Sequence, residues 1–137
     1  MKKVFLIGFC AIFLLSSCAR HIIVNFQESS DSTGTIVLAP TANIQNTVVT
    51  MDDKLLVDKK YVKKVTIKNV PIGEHKVNFS ADSWAYKEKI DQKEQIQISK
   101  KDAEVAKIIT RPAFSNGYYI LLAAIILANA TTYFVIW

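Results

Sequence analysis

The chain has 137 residues, is 50% hydrophobic and carries 17 Lys or Arg against 12 Asp or Glu, a formal net charge of +5. Lys2 and Lys3 supply two of those cations, and the others are scattered without a basic stripe interleaved with aromatics, which argues against nucleic acid as a partner. Two histidines, four glycines and two cysteines provide no clustered metal ligands, no glycine-rich phosphate loop and no nucleophile spaced beside a base, so no catalytic residue, metal or cofactor is expected.

At the N-terminus Met1, Lys2 and Lys3 precede an almost wholly apolar stretch, residues 4–15, which ends in the small pair Ser16 and Ser17. This is the layout of a secretory signal peptide. The run Leu15, Ser16, Ser17, Cys18 resembles the lipobox of bacterial lipoproteins. The resemblance implies cleavage between Ser17 and Cys18, acylation of Cys18 by a diacylglyceryl group and a palmitate-type fatty acid, and residence in the cell envelope with the folded part outside the cytoplasm. Several acyl chains bind a bilayer durably where one binds reversibly. Cys10 would be lost with the peptide, which leaves no pair for a disulfide and, once Cys18 is acylated, no free thiol. The alternative is an uncleaved anchor over residues 4–17, although that stretch is short for a span. Ala19, standing where aspartate would retain an enterobacterial lipoprotein, implies the outer membrane.

Downstream, Ile22, Ile23, Val24 and Phe26 predict a short strand, and residues 27–34 a loop rich in serine. A second run, 35–38, stops at Pro40, and a third, 47–51, is turned by Asp52 and Asp53. Two further runs follow at 55–57 and 64–68. Apolar residues then alternate with polar ones at Val77, Phe79 and Ala81 and again at Ile96 and Ile98. A period of two marks strands with one wet and one dry face, so residues 18–117 are expected to form a mainly β domain, a small antiparallel β-sandwich. Residues 100–109 fit a helical turn or a last strand equally.

Residues 48–98 also resemble the PEGA family and related transthyretin-like sandwiches. The matching features are the acidic turn Asp52 and Asp53, the run Asn69, Val70, Pro71, Ile72, Gly73 and Glu74 leading into His75 to Phe79, and the aromatics Trp84 and Tyr86. Ile72 stands where the name-giving motif has glutamate, and Ser83 where a glycine often precedes the aromatic. The resemblance implies a non-catalytic sandwich displayed in the envelope and transfers no catalytic residues.

Residues 118–137 contain no charge. As a helix they would rise roughly 30 Å, the thickness of a hydrocarbon core. Tyr118 and Tyr119 at one end and Tyr133 and Trp137 at the other fit interfacial aromatics, so this tail is expected to be a transmembrane helix; Pro112, Asn116 and Gly117 divide it from the β domain. No cation follows the span, and a spanning helix belongs to the inner membrane, in conflict with the reading of Ala19. Packing of the tail as a hairpin or buried helix on the β domain or a partner subunit is the alternative.

Among individual residues, His21 adjoins the anchor and His75 lies in register with Val77 and Phe79, so His75 is expected as a strand-edge or core residue. Asp52 and Asp53 read as a turn rather than a metal site. Trp84 and Tyr86 are the candidates for an exposed recognition patch. The sequence thus points to a lipid-anchored envelope protein acting as a non-catalytic interaction or structural module, with membrane lipid and an envelope protein or cell-surface polymer as partners. The alternative is a subunit of a membrane-embedded secretion or transport assembly.

Overall fold

The computed structural model describes residues 18–28 and 32–135, with side chains as far as Ala128. The expected signal peptide, residues 1–17, therefore lies outside the described residues, together with Trp137 and the side chain of Tyr133.

The described residues are mainly β, with seven strands and one helix among them: β1 (Arg20–Asn25), β2 (Thr33–Pro40), β3 (Ile44–Met51), β4 (Lys54–Pro71), β5 (Gly73–Ala81), β6 (Ile90–Ile98), β7 (Glu104–Ile109) and α1 (Asn116–Val135). Residues 100–109, ambiguous in the sequence, resolve into a turn and the last strand. The strands form a single sheet ordered β6-β5-β3-β4-β2-β7, with β1 also on β4.

The two runs at 55–57 and 64–68 belong to the one 18-residue strand β4. Its first half pairs with β3, with Val57 opposite Val49 and Lys60 opposite Thr47. Its second half pairs with β2, with Val65 opposite Leu38 and Pro71 opposite Thr33. Between them the strand bends back: Lys59 takes a positive φ of 45°, and the register against β3 shifts on either side of Thr47. Irregularities of this kind bend a strand and let it pass from one layer to the other. As a result the two ends of β4 lie together. Lys54 Nζ donates to the carbonyl of Phe26, the residue just beyond β1, and β1 pairs with the end of β4 through Asn25 and Lys68.

A purely antiparallel sandwich was the expectation, and the structure corrects it to a mixed sheet. β1 runs parallel to β4, and β2 parallel to β7. Between β1 and β2 the chain passes from one edge of β4 to the other, so the two strands straddle it. The turn at 99–103 delivers the chain beside the start of β2, where Asp102 N–H donates to Thr33 O and Thr35 N–H to Ala103 O, so β7 sets out in the same direction as β2. The sheet nearly closes on itself. Across the seam between β6 and β7, Lys107 Nζ reaches Glu94 Oε2 at 3.2 Å and Gln92 Nε2 reaches Ile108 O at 3.5 Å. Hydrogen bonds from Gln92 and Lys107 hold the Glu94 carboxyl below its ordinary range.

Inside lie the alternating residues of every long strand, among them Ile36, Leu38, Ile44, Met51, Phe79 and Ile98, all fully buried. They are the dry-face positions of the two-residue period. The expected acidic turn is real: Asp52 and Asp53 have φ of 48° and 65°, two successive positive values of the kind a tight two-residue hairpin requires.

Strand direction gives the domain two ends. The turn end carries residues 26–28, Ser32, Asp52 and Asp53, Ile72 and residues 99–103. The helix end carries Cys18, residues 41–43, the bend of β4, residues 82–89 and the approach to α1.

Candidate functional site

Most of the residues singled out from the sequence gather at the helix end. Cys18 is exposed and stands two residues before Arg20, which pairs with Val62 at the bend of β4. Ile44, the first residue of β3, pairs with the same Val62. After β7 the backbone N–H of Arg111 donates to Thr41 Oγ1, which keeps the outgoing chain beside the loop between β2 and β3. Ser115 N–H then donates to Ala85 O, and Lys87 N–H to Ala113 O, which pins the approach to α1 against the loop between β5 and β6.

Ser115 caps the helix. Its Oγ accepts from Tyr118 N–H at 3.2 Å while its own hydroxyl donates to Trp84 O at 2.9 Å. One side chain thereby satisfies an orphan amide of the first turn and ties α1 to the β domain.

An aromatic stack fixes this junction. Phe114 lies 4.1 Å from Tyr118 and 6.1 Å from Tyr86, both stacked, and meets Tyr119 edge-on at 6.2 Å; Trp84 is 6.3 Å from Tyr118. The Arg111 guanidinium sits 4.2 Å from the centre of the Phe114 ring. Tyr86 forms the floor: it is buried in the core and its hydroxyl accepts from Gln45 N–H at 3.2 Å. This corrects the expected recognition patch, since Trp84 is exposed while Tyr86 is core, and the ring that Trp84 meets, the half-buried Tyr118, belongs to α1. Phe114 and Arg111 were missed in the sequence. Their signal was a lone aromatic and a lone arginine flanking Pro112 just ahead of the apolar tail.

Beneath the stack lies an open cleft of about 250 Å³ lined by Asn43, Gln45, Tyr61, Tyr86, Arg111 and Phe114, together with Tyr118 and small residues. No carboxylate lines it. Among the described residues Arg111 forms no ion pair.

α1 continues outward from this point. Its backbone is helical over 20 residues, and Ile120, Leu121, Leu122 and Ile126 are exposed. Among the described residues, whose side chains end at Ala128, no helix is long and apolar enough to cross a membrane.

The turn end holds the remaining polar cluster. The His75 ring contacts Asp52 Oδ2 through Nδ1 at 2.7 Å and the Pro71 carbonyl through Nε2 at 2.9 Å, while Asp52 Oδ1 accepts from Lys76 N–H. Both ring nitrogens are thus committed to acceptors within the fold, which accords with a structural histidine and leaves neither free as ligand or base. Burial opposes ionisation of Asp52, but the bonds from His75 and the Lys76 amide outweigh it and hold the carboxyl below its ordinary value of 3.8. Among the described residues no group of three metal-ligating side chains assembles. A second, shallow cleft on the outer face of β3, β5 and β6 is lined by Lys76, Asn78, Lys93 and Glu94, and Asn78 Oδ1 there is buried without a hydrogen-bond partner.

No family model, curated protein or solved structure matches the chain.

Proposed function

We propose that the protein is an envelope lipoprotein, cleaved before Cys18 and acylated there, whose β domain is a non-catalytic interaction or structural module held against one bilayer by two contacts. The observation that carries this reading is that Cys18 and the first turn of α1 leave the β domain at the same end. A lipid on Cys18 and the predominantly apolar α1 can therefore enter a single membrane without distorting the domain. Anchors at opposite ends could not do so.

In this reading α1 enters the hydrocarbon, Trp84, Tyr118 and Tyr119 take the interfacial position that amphipathic rings favour, and the turn end projects away. The hairpin over Asp52 and Asp53 and the connection at Pro71, Ile72 and Gly73 suit the PEGA-like resemblance and supply the face offered to a partner. A second reading, a subunit of a membrane-embedded assembly, is favoured by the exposed Ile120, Leu121 and Leu122, which neighbouring subunits could cover.

Separated membranes of cells expressing wild type, Cys18→Ala and a chain truncated after Gly117 test the proposal, with lipid labelling of each. Labelled wild type, retention of each single variant and release of the combined variant are expected. Failure of wild type to take up lipid would overturn acylation, and membrane retention unaffected by truncation in the Cys18→Ala background would overturn the role of α1. A homogeneous monomer in detergent supports the module; a large stable particle supports the assembly subunit.

A further inference from the structure

The cleft beside Arg111 has the chemistry of an anion site. Arg111 is half-buried, stacked on Phe114 and unpaired with any carboxylate among the described residues. A guanidinium whose face is covered by a ring keeps its N–H edges for hydrogen bonding, and its planar fork matches two oxygens of a phosphate. Among the other polar groups lining the cleft, beside the hydroxyls of Tyr86 and Tyr118, the amides of Asn43 and Gln45 and the hydroxyl of Tyr61 are neutral donors able to complete such a shell. Cations are also exposed at this end, Arg20, Lys59, Lys60, Lys87 and Lys89, against Asp58, Asp82, Glu88 and Asp91. The turn end carries the more even mixture of Glu28, Asp52, Asp53, Glu74, Asp102 and Glu104 with its lysines.

We propose that this cleft binds the phosphate of an anionic phospholipid headgroup, with Arg111 as the bidentate contact and Asn43, Gln45 and Tyr61 as its neutral donors. The inference rests on the reading that the helix end faces a bilayer. The cleft then opens at the level of the interfacial aromatics, where a headgroup phosphate lies, and the surrounding lysines raise the local concentration of anionic lipid. A soluble phosphate compound is the other source of the same chemistry, and the aromatic collar beside the cleft favours the lipid.

The test uses the full chain in neutral detergent, titrated separately with dihexanoylphosphatidylglycerol, dihexanoylphosphatidylcholine and inorganic phosphate while backbone and Arg Nε–H signals are followed by NMR. Because binding is measured in micelles, it does not depend on membrane insertion, so its failure is distinguishable from failure of the two-contact anchor. Saturable shifts at Arg111, Asn43 and Gln45 are expected with the phosphatidylglycerol, several-fold weaker ones with the phosphatidylcholine. Arg111→Gln should weaken binding about tenfold, the scale of one charge-assisted contact. Gln45→Glu, at an exposed side chain whose substitution leaves the backbone bond to Tyr86 in place, should weaken it comparably by repulsion. Should Arg111→Gln fail to keep its amide dispersion, Gln45→Glu decides. Inorganic phosphate binding as tightly as the lipid would overturn the headgroup assignment, and equal affinity in the variants, or shifts confined to the turn end, would overturn the site.

Discussion

Trp84 is 64% exposed and Tyr86 8%, although only Ala85 separates them. The loop between β5 and β6 aims one at solvent and lays the other beneath Phe114, where it fills the core and receives the amide of Gln45. Their truncations should therefore separate stability from membrane contact. Tyr86→Ala is expected to cost about 3–5 kcal/mol, the range for emptying a buried aromatic site. Trp84→Ala should change stability by less than about 0.5 kcal/mol, the range for surface positions, while weakening membrane contact. Urea unfolding of both variants checks the first pair of values. Asp52 gives a pH-dependent counterpart at the other end. Its carboxyl is held below the ordinary 3.8, so its ionised form favours the fold; that contribution is present above about pH 4 and disappears as pH falls through the folded value. The stability advantage of wild type over Asp52→Asn should therefore shrink as pH falls from about 5 toward about 3. An advantage that grew between about pH 5 and about pH 3 would show that the hydrogen bonds to the carboxylate do not govern its titration.

At the scale of elements, two junctions decide how strands and helix come together. Gly34 is the second residue of β2, crowded by the end of β6 and the turn before β7: an added Cβ would lie 2.7 Å from Ala103 O and 2.8 Å from Ile98 Cγ2. The first of these is backbone and cannot move aside cheaply, so Gly34→Ala should destabilise by about 1–3 kcal/mol and loosen the seam near β7. Hydrogen exchange at Thr35 and Ala103 would report it, and unchanged protection there would refute the argument. At the second junction Ser115→Ala removes the cap from α1 and the bond to Trp84 O. Loss of an N-cap costs about 1 kcal/mol, and faster exchange of Tyr118 N–H than in wild type should accompany it. The fraying should remain local, because the Phe114 stack still joins helix and domain.

For the whole molecule, the proposed anchoring through Cys18 and α1 at one end would fix the orientation of the domain on a bilayer. Trp84 should sit at the interface and Ile72, at the opposite end, should stay in water. In a Trp137→Phe background, shallow brominated lipids should quench Trp84 strongly, whereas a tryptophan placed at Ile72 in a chain also lacking Trp84 should be quenched little. Comparable quenching at both ends would mean that the domain lies on its side, and the common anchoring end would lose its significance. In the proposed orientation the exposed cations of the helix end would face an anionic surface, and their attraction to it should fall with salt.

Several features were legible in the sequence because they depend on neighbours a few residues away. The two-residue alternation specifies which side chains are dry, and Val77, Phe79, Ile96 and Ile98 are buried as the pattern demands. Asp52 and Asp53 tolerate positive φ, so the acidic turn is local chemistry, as is the apolar uniformity that makes residues from Asn116 onward a helix. The bend that joins two runs into β4 was not legible, because no glycine or proline marks it and pairing with β3, β1 and β2 is what holds both halves. Parallel pairing of β1 was equally hidden, since the period of a strand is the same whichever way its neighbour runs. The aromatic stack and the Arg111 cleft depend on residues 41–45, 61, 84–86 and 111–118 meeting at one end. Only the closure of the sheet, driven by burial of residues distant in sequence, brings them together.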